Sequence, residues 1–350
     1  MIIFRTDASP QIGFGHLTRC RALAMALRSE GKRCVMVGPA AEYAKSVDQE
    51  TFEDWIPAPE WSSANEDGDR LIGVARKFEA EWLVLDDYRI DETYQLRVRE
   101  AGLRWLQFDG TASNPLWADI VLNANPAARS EDYQPVLRNP NARLLLGPRY
   151  AILRPEFDQI IPREPGRPVK KILLTFGGGD DRGANKFVLS TLLPVTSKDQ
   201  EFVVITGATN PSNPSLKRWI DAHGQGRVSL HIDPEQVAPL FASCDLAVMA
   251  GGTSTYEAAR CGLPMILIAI ADNQIAQVKG WMDAGAALYL GMLNDMEKSQ
   301  IHSCVNMLVN DHEIFINMGI WGIQTVQGRG SVAVAEKILE SIAVDESSTY

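Results

Sequence analysis

Twice along this chain, short apolar runs alternate with stretches whose apolar positions recur at helical spacing, and that alternation limits the fold more than any other feature. In the first half the runs are Met1 to Arg5, Cys34 to Val37, Trp82 to Leu85, Arg104 to Phe108, Ile120 to Leu122 and Arg143 to Leu146. The second half restarts the pattern with Lys171 to Phe176, Phe202 to Thr206, Val228 to Ile232, Leu246 to Met249, Met265 to Ile270 and Ala287 to Leu290. Strands alternating with helices mean parallel sheet with crossover connections, so the sequence predicts two doubly wound α/β domains. Between the two series, Pro148, Pro155, Pro162, Pro165 and Pro168 interrupt any helix or central strand. The predicted domains are therefore residues 1–152 and 153–345, with a loose polar tail over 346–350. Ser331, after Gly328 and Gly330, is placed to cap a last amphipathic helix running to about Ile342.

Composition narrows the partners. With 350 residues, 45% of them apolar, each half can bury a core of its own. A net charge of -10 argues against a nucleic-acid or anionic-membrane surface, which needs clustered Lys and Arg. No run of about 18 uncharged apolar residues occurs, and the chain enters a strand-like segment at Ile2 without a basic lead, so the expectation is a cytoplasmic protein without membrane insertion. Five scattered cysteines, none at zinc-ligand spacing, fit a reducing compartment and no disulfide framework.

The first candidate site follows the first strand. The segment Arg5, Thr6, Asp7, Ala8, Ser9, Pro10, Gln11, Ile12, Gly13, Phe14, Gly15, His16 leads into apolar positions Leu17, Cys20, Leu23, Ala24 and Leu27 at helical spacing. His16 thus falls in a first helical turn at the carboxyl end of a strand, where open α/β sheets hold ligands. The positive end of the helix is expected to keep its ring neutral and able to accept a proton. Asp7, Gly13, Gly15 and Arg19 surround it as candidates to contact a substrate. A plain tight turn, or a degenerate dinucleotide fingerprint with His16 on the surface, accounts for the two glycines as well. The full fingerprint fails, because Arg19 and Cys20 stand where its third glycine belongs. Asp86, Asp87 and Tyr88 end a strand in the same half and are candidates to face His16, or simply to cap the next helix.

The second candidate is a diphosphate cradle. Gly251, Gly252, Thr253, Ser254 and Thr255 follow the Leu246 to Met249 strand and open a helix, offering backbone amides and hydroxyls at its positive end. Glu257, one turn on, has two acceptor oxygens for a vicinal diol such as ribose. An ordinary Ser/Thr cap with an acidic first turn is the alternative. Gly177 and Gly178, after the first strand of the second half, either shape the same cleft or only turn the chain, and Asn273 and Gln274 either grip sugar hydroxyls or cap a helix. Asp67, Gly68 and Asp69 form a D-x-D pattern, but they lie in a polar stretch entering a helix, and capping is the preferred reading over metal binding. Cys20 sits on an apolar face and reads as packing rather than a nucleophile. Metalloprotease, P-loop and serine-hydrolase motifs are absent from the sequence.

With these residues in view, the chain resembles the UDP-2,4-diacetamido-2,4,6-trideoxy-β-L-altropyranose hydrolases of pseudaminic acid biosynthesis. The opening RTDASPQIGFGHLTRCRALA carries the likeness, followed in order by LDDYRID, ADIVLNANP, LLGPRYAILRPEF, ILLTFGGGD, AVMAGGTSTYEAARCGLP and NQ, over roughly residues 1 to 330. The resemblance implies a GT-B-like architecture, two Rossmann-like domains facing a cleft, akin to the glycosyltransferase that makes lipid II. It also implies a UDP-sugar as small-molecule substrate, His16 as the catalytic base, Tyr88 and Asn273 at the sugar and Glu257 at the ribose. Two departures bear on the sugar: Asp87 stands where many members carry His, and FDGTASN where an Asp pair is usual. The expected reaction is inverting hydrolysis at the anomeric carbon without cofactor or metal, by a monomer or weak homodimer. A glycosyltransferase using the same donor and a non-catalytic UDP-sugar sensor are the rival readings.

Overall fold

The computed structural model describes residues 1–9, 12–58, 61 and 63–348. Among these, the first sheet has seven parallel strands: β1 (Ile2–Thr6), β2 (Cys34–Gly38), β3 (Asp54–Pro57), β4 (Trp82–Asp86), β5 (Trp105–Phe108), β6 (Ile120–Asn123) and β7 (Arg143–Leu146). They lie in the order β3-β2-β1-β4-β5-β6-β7. The second sheet has six: β8 (Lys171–Thr175), β9 (Glu201–Thr206), β10 (Val228–Ile232), β11 (Leu246–Met249), β12 (Met265–Ala269) and β13 (Ala287–Met292), ordered β10-β9-β8-β11-β12-β13 and again parallel. Central strands such as β1, β4 and β12 are buried along their whole length, which is why they read as continuous apolar runs instead of alternating ones.

All twelve strand readings correspond to strands. The one added, β3, is an edge strand in which Asp54, Trp55 and Ile56 are only half-buried and Pro57 is exposed, so it lacks the apolar signal of its neighbours. Trp55 anchors it by donating from Nε1 to the Pro39 carbonyl at 2.9 Å.

The chain divides into two compact units, Met1–Ser9 with His16–Arg154 and Arg329–Tyr350, and Pro10–Gly15 with Pro155–Gly328. The crossing at Arg154 falls inside the proline-rich stretch. The last helix departs from its expected place: Gly330–Ser348 packs with the first unit, not the second. Arg104 Nη1 donates to the Ser341 carbonyl at 3.0 Å and Arg143 pairs with Glu340 at 2.9 Å, contacts that no periodicity along the chain announces. This helix continues past Ile342 to Ser348, into the segment expected to be loose, and Thr349 and Tyr350 lie outside the described residues.

Each unit has its own core. In the first, Ile3, Val35, Leu83 and Leu85 of the sheet meet Leu71, Tyr94 and Val98 of the covering helices; in the second, Ile172, Leu174, Val248 and Ile266 meet Val188, Leu189, Leu192 and Leu308. An ion pair is built into the first core. Arg5 of β1 donates from Nε and Nη2 to both carboxylate oxygens of Asp67, at 2.8 and 2.9 Å, and both side chains are 2% exposed. Gly38 makes the room, since a Cβ there would stand 1.8 Å from the Thr6 carbonyl oxygen and 2.5 Å from Arg5 Nη1. Removing the carboxylate leaves the buried guanidinium the weaker partner Asp87, 3.9 Å from Nη1, in place of a bidentate counter-charge. The Asp67→Ala variant is expected to lose about 3–5 kcal/mol of unfolding free energy in urea titrations, and a loss under about 1 kcal/mol would show that the pair is hydrated in solution.

Candidate active site

An open parallel sheet leaves a crevice where strand order reverses, because the two crossover connections depart to opposite faces. In the first sheet that point lies between β1 and β4, and in the second between β8 and β11. The two candidate sites read from the sequence occupy these positions, one in each unit.

In the first unit, β1 ends at Thr6 directly opposite Asp86, the last residue of β4. The Thr6 hydroxyl ties the two ends by donating to the Asp86 carbonyl at 3.0 Å. The chain then passes Gly13, whose φ of 89° is accessible to glycine without strain, and starts the Gly15–Ser29 helix. His16 sits in its first turn, 9% exposed, with Nδ1 2.6 Å from Asp86 Oδ1. One turn on, Arg19 grips the same carboxylate, Nε to Oδ2 at 2.6 Å and Nη2 to Oδ1 at 2.5 Å, while its guanidinium lies 4.4 Å from the centroid of the Phe108 ring. Burial alone favours the neutral acid, but the Arg19 and His16 charges and their hydrogen bonds overcome it and hold the Asp86 carboxyl well below the usual carboxylate range. His16 Nε2 makes no hydrogen bond to a described residue. The Tyr88 ring, 66% exposed, packs edge to face against the imidazole with centroids 4.8 Å apart.

Two residues expected to contact substrate also make ion pairs within this unit. Arg19 is held by Asp86, and Asp7 accepts from Arg89 Nη2 at 2.6 Å, Arg89 also pairing with Asp87. Cys20 is packing, as read: it is fully buried, and burial together with the Asp86 charge pushes its thiol well up. The D-x-D carboxylates belong to ion pairs, Asp67 with Arg5 and Asp69 with Arg97 at 2.6 Å, while the helix they enter is capped by Ser63 instead. Among the described residues, no group of three or more His, Cys, Asp and Glu side chains is arranged to hold a metal ion, and no helix is long and apolar enough to cross a membrane.

In the second unit, the loop after β11 begins with the Ala250 amide donating across the switch point to the Thr175 carbonyl at 3.1 Å. Gly251 is required by packing, since its Cβ would stand 2.2 Å from Val278 Cγ1, whereas Gly252 is open with nothing within 4 Å. The amides of Gly252, Thr253 and Ser254 find no acceptor among the described residues. Thr255 does not join them. Its fully buried hydroxyl donates to the Gly252 carbonyl and accepts from Gln277 Nε2 and Trp281 Nε1, each at 2.8 Å, and Gln277 also donates to the Gly252 carbonyl at 2.8 Å. These two donors, absent from the sequence reading, lock the loop from behind; they stand on the Ile275–Asp283 helix, where only their i, i+4 spacing marks them. Glu257 is buried at 4% exposure.

The remaining second-unit residues divide. Gly177 has a φ of 96°, and Gly178 presents its carbonyl to Gly207, where a Cβ would be 2.0 Å from that oxygen, so the two glycines pack the β8 and β9 turns together. Gln274 accepts from the Ile270 amide with its Oε1 at 3.0 Å, which closes the Asp272–Gln274 turn. Asn273 on the same turn is exposed.

No family model matches the chain. Among curated proteins, it is 28% identical over 259 residues to a UDP-2,4-diacetamido-2,4,6-trideoxy-beta-L-altropyranose hydrolase of Campylobacter jejuni, covering 73% of this chain and 87% of that one. It is also 25% identical to the spore coat polysaccharide biosynthesis protein SpsG of Bacillus subtilis, covering 94% of each. The resemblance seen in the sequence motifs therefore extends along most of the chain. Of solved structures, MurG of Acinetobacter baumannii aligns with a TM-score of 0.68 at 14% identity, covering 97% of this chain and 99% of that one. A UDP-GlcNAc 2-epimerase of Neisseria meningitidis aligns with a TM-score of 0.62 at 14% identity, covering 97% and 100%. These likenesses show a GT-B-like fold with two Rossmann-like parallel-sheet domains.

The Thr255 network gives a direct check on the loop. Thr255→Val keeps the shape but strands the buried Trp281 N–H and leaves Gln277 with its Gly252 bond alone, an expected loss of about 1–3 kcal/mol in thermal or denaturant unfolding. A variant as stable as the parent would mean that Gln277 and Trp281 hydrogen-bond elsewhere in solution.

Proposed function

We propose that this chain hydrolyses a UDP-linked 2,4-diacetamido-2,4,6-trideoxy sugar at its anomeric carbon, releasing UDP and the free sugar with inversion. The observation that carries the reading is His16: one ring nitrogen is held by Asp86 and the other, Nε2, bonds to no described residue, at the position where a doubly wound sheet takes its ligand. An imidazole so held is a general base awaiting a proton donor.

In the proposed step a water oxygen forms a bond to the anomeric carbon as the bond from that carbon to the diphosphate oxygen breaks. The water's proton passes to His16 Nε2, and the bonding electron pair leaves with UDP. The amides of Gly252, Thr253 and Ser254, held in place through Gly252 and Thr255, meet the charge that develops on the diphosphate. Glu257 takes the ribose diol, while Tyr88 and Asn273 take the sugar. Support for the substrate class comes from the Campylobacter relative, whose name states this hydrolysis.

The test is incubation with the UDP-sugar alone, followed by proton NMR. UDP and the inverted sugar are expected without any added acceptor and in the presence of chelator. Release that waits for a hydroxyl acceptor would make the chain a glycosyltransferase, and binding without turnover would make it a sensor. General-base help is worth about a hundred- to ten-thousandfold, roughly 3–5.5 kcal/mol, so His16→Ala is expected to lower kcat by that factor while UDP affinity stays within about twofold. Near-normal turnover of that variant would remove His16 from the reaction.

A further inference from the structure

Asp86 is the charge nearest His16, and the proposed reaction uses it only as the group that holds one ring nitrogen. Its side chain is 2% exposed and faces three groups: His16 Nδ1 at 2.6 Å, the Arg19 guanidinium at 2.5 and 2.6 Å, and the Cys20 thiol at 3.7 Å. The other charges on the loop after β4 are matched away from the ring, Arg89 with Asp87 and Asp7, and Asp87 also with Arg5 at 3.9 Å. Beyond them the Tyr88 ring packs edge to face against the imidazole.

The geometry decides who donates. A carboxylate gripped by a guanidinium fork is ionised and can only accept, so the hydrogen in the His16 contact stands on Nδ1 and points at Oδ1. That assigns the lone pair of the neutral ring to Nε2. Arg19 Nη2 lies 3.0 Å from the same Nδ1, and since both are then donors, the two share Oδ1 instead of bonding to each other. We propose that Asp86 and Arg19 are positioning residues for His16: Asp86 fixes the tautomer and plane of the ring, and Arg19 both clamps that carboxylate and offsets its charge. An aspartate behind a catalytic histidine normally also favours the imidazolium. Here a cation already stands against it, which makes the carboxylate chiefly an orienting group.

The proposal rests on His16 being the base, and its test separates the two claims. Long-range proton–nitrogen NMR of the full chain without ligand reads the tautomer directly: the neutral His16 ring is expected as Nδ1–H, and an Nε2–H ring in the unmodified protein overturns the proposal whatever the reaction is. Turnover against pH supplies the second readout. Asp86→Asn is expected to lower kcat about 10²–10⁴-fold, with KM and UDP affinity unchanged, because an amide can present N–H to Nδ1 and impose the wrong tautomer. Its residual activity should carry an acid limb moved to lower pH, since the Arg19 cation remains beside the ring. Arg19→Gln should move that limb to higher pH, since a bare carboxylate then faces the ring, and Arg19→Lys, which keeps the charge, should leave it in place. General loosening of the site would not displace the limb in opposite directions. Displacements in one direction, or none, overturn the proposal while leaving His16 as base if His16→Ala is still inactive.

Discussion

The parallel pairing of β1 with β4, with Thr6 opposite Asp86, is the contact on which the first unit's chemistry depends. Those strands are 80 residues apart in sequence, with β2 and β3 formed between them, and only the reversal of strand order at this point makes them neighbours. Once they pair, the helix leaving β1 must start beside the end of β4. His16 and Arg19, three residues apart on that helix, then both reach one carboxylate. Sheet topology, rather than any local motif, thus creates the imidazole–carboxylate–guanidinium cluster. The second sheet repeats the device, with the Ala250 amide bonded to the Thr175 carbonyl across β11 and β8.

Most of the fold was readable because parallel strands buried on both faces have to be continuously apolar, and Pro-rich or glycine-bearing segments separate them. The edge strand β3 escaped for the complementary reason: with Asp54 and Pro57 at its ends and one side to solvent, it need not be apolar. The placement of the Gly330–Ser348 helix escaped because helical periodicity states that one face is buried but not against what. The contacts that decide it, from Arg104 and Arg143, come from residues about 200 positions earlier.

The candidate turns were legible in the sequence, while the hydrogen bonds inside them were not. His16 and the Gly251–Ser254 loop stood out because glycines, a helix start and a strand end coincide. Arg19, Asp7, Gln274 and Thr255 stand in those turns, and each completes a hydrogen-bonding partnership inside the protein that the sequence did not announce. A polar side chain near a ligand turn is called upon by the unpaired backbone groups of that same turn, and one sequence does not reveal which claim wins. Asp86 was visible as a strand-terminal acid; its pairing with His16 follows once β1 and β4 are set side by side in the usual doubly wound order.

The return of the last helix to the first unit makes that unit discontinuous, with the whole of Pro155–Gly328 inserted into its chain. On a ribosome the inserted unit is complete before the segment that finishes its predecessor has been made. Trp82, with the Arg104 guanidinium 4.9 Å over its ring, and the Ser341 carbonyl that Arg104 also reaches therefore come together among the final events of biogenesis. A nascent chain stalled anywhere between Pro155 and Gly328 would carry its histidine and aspartate on a sheet whose outer helix does not yet exist.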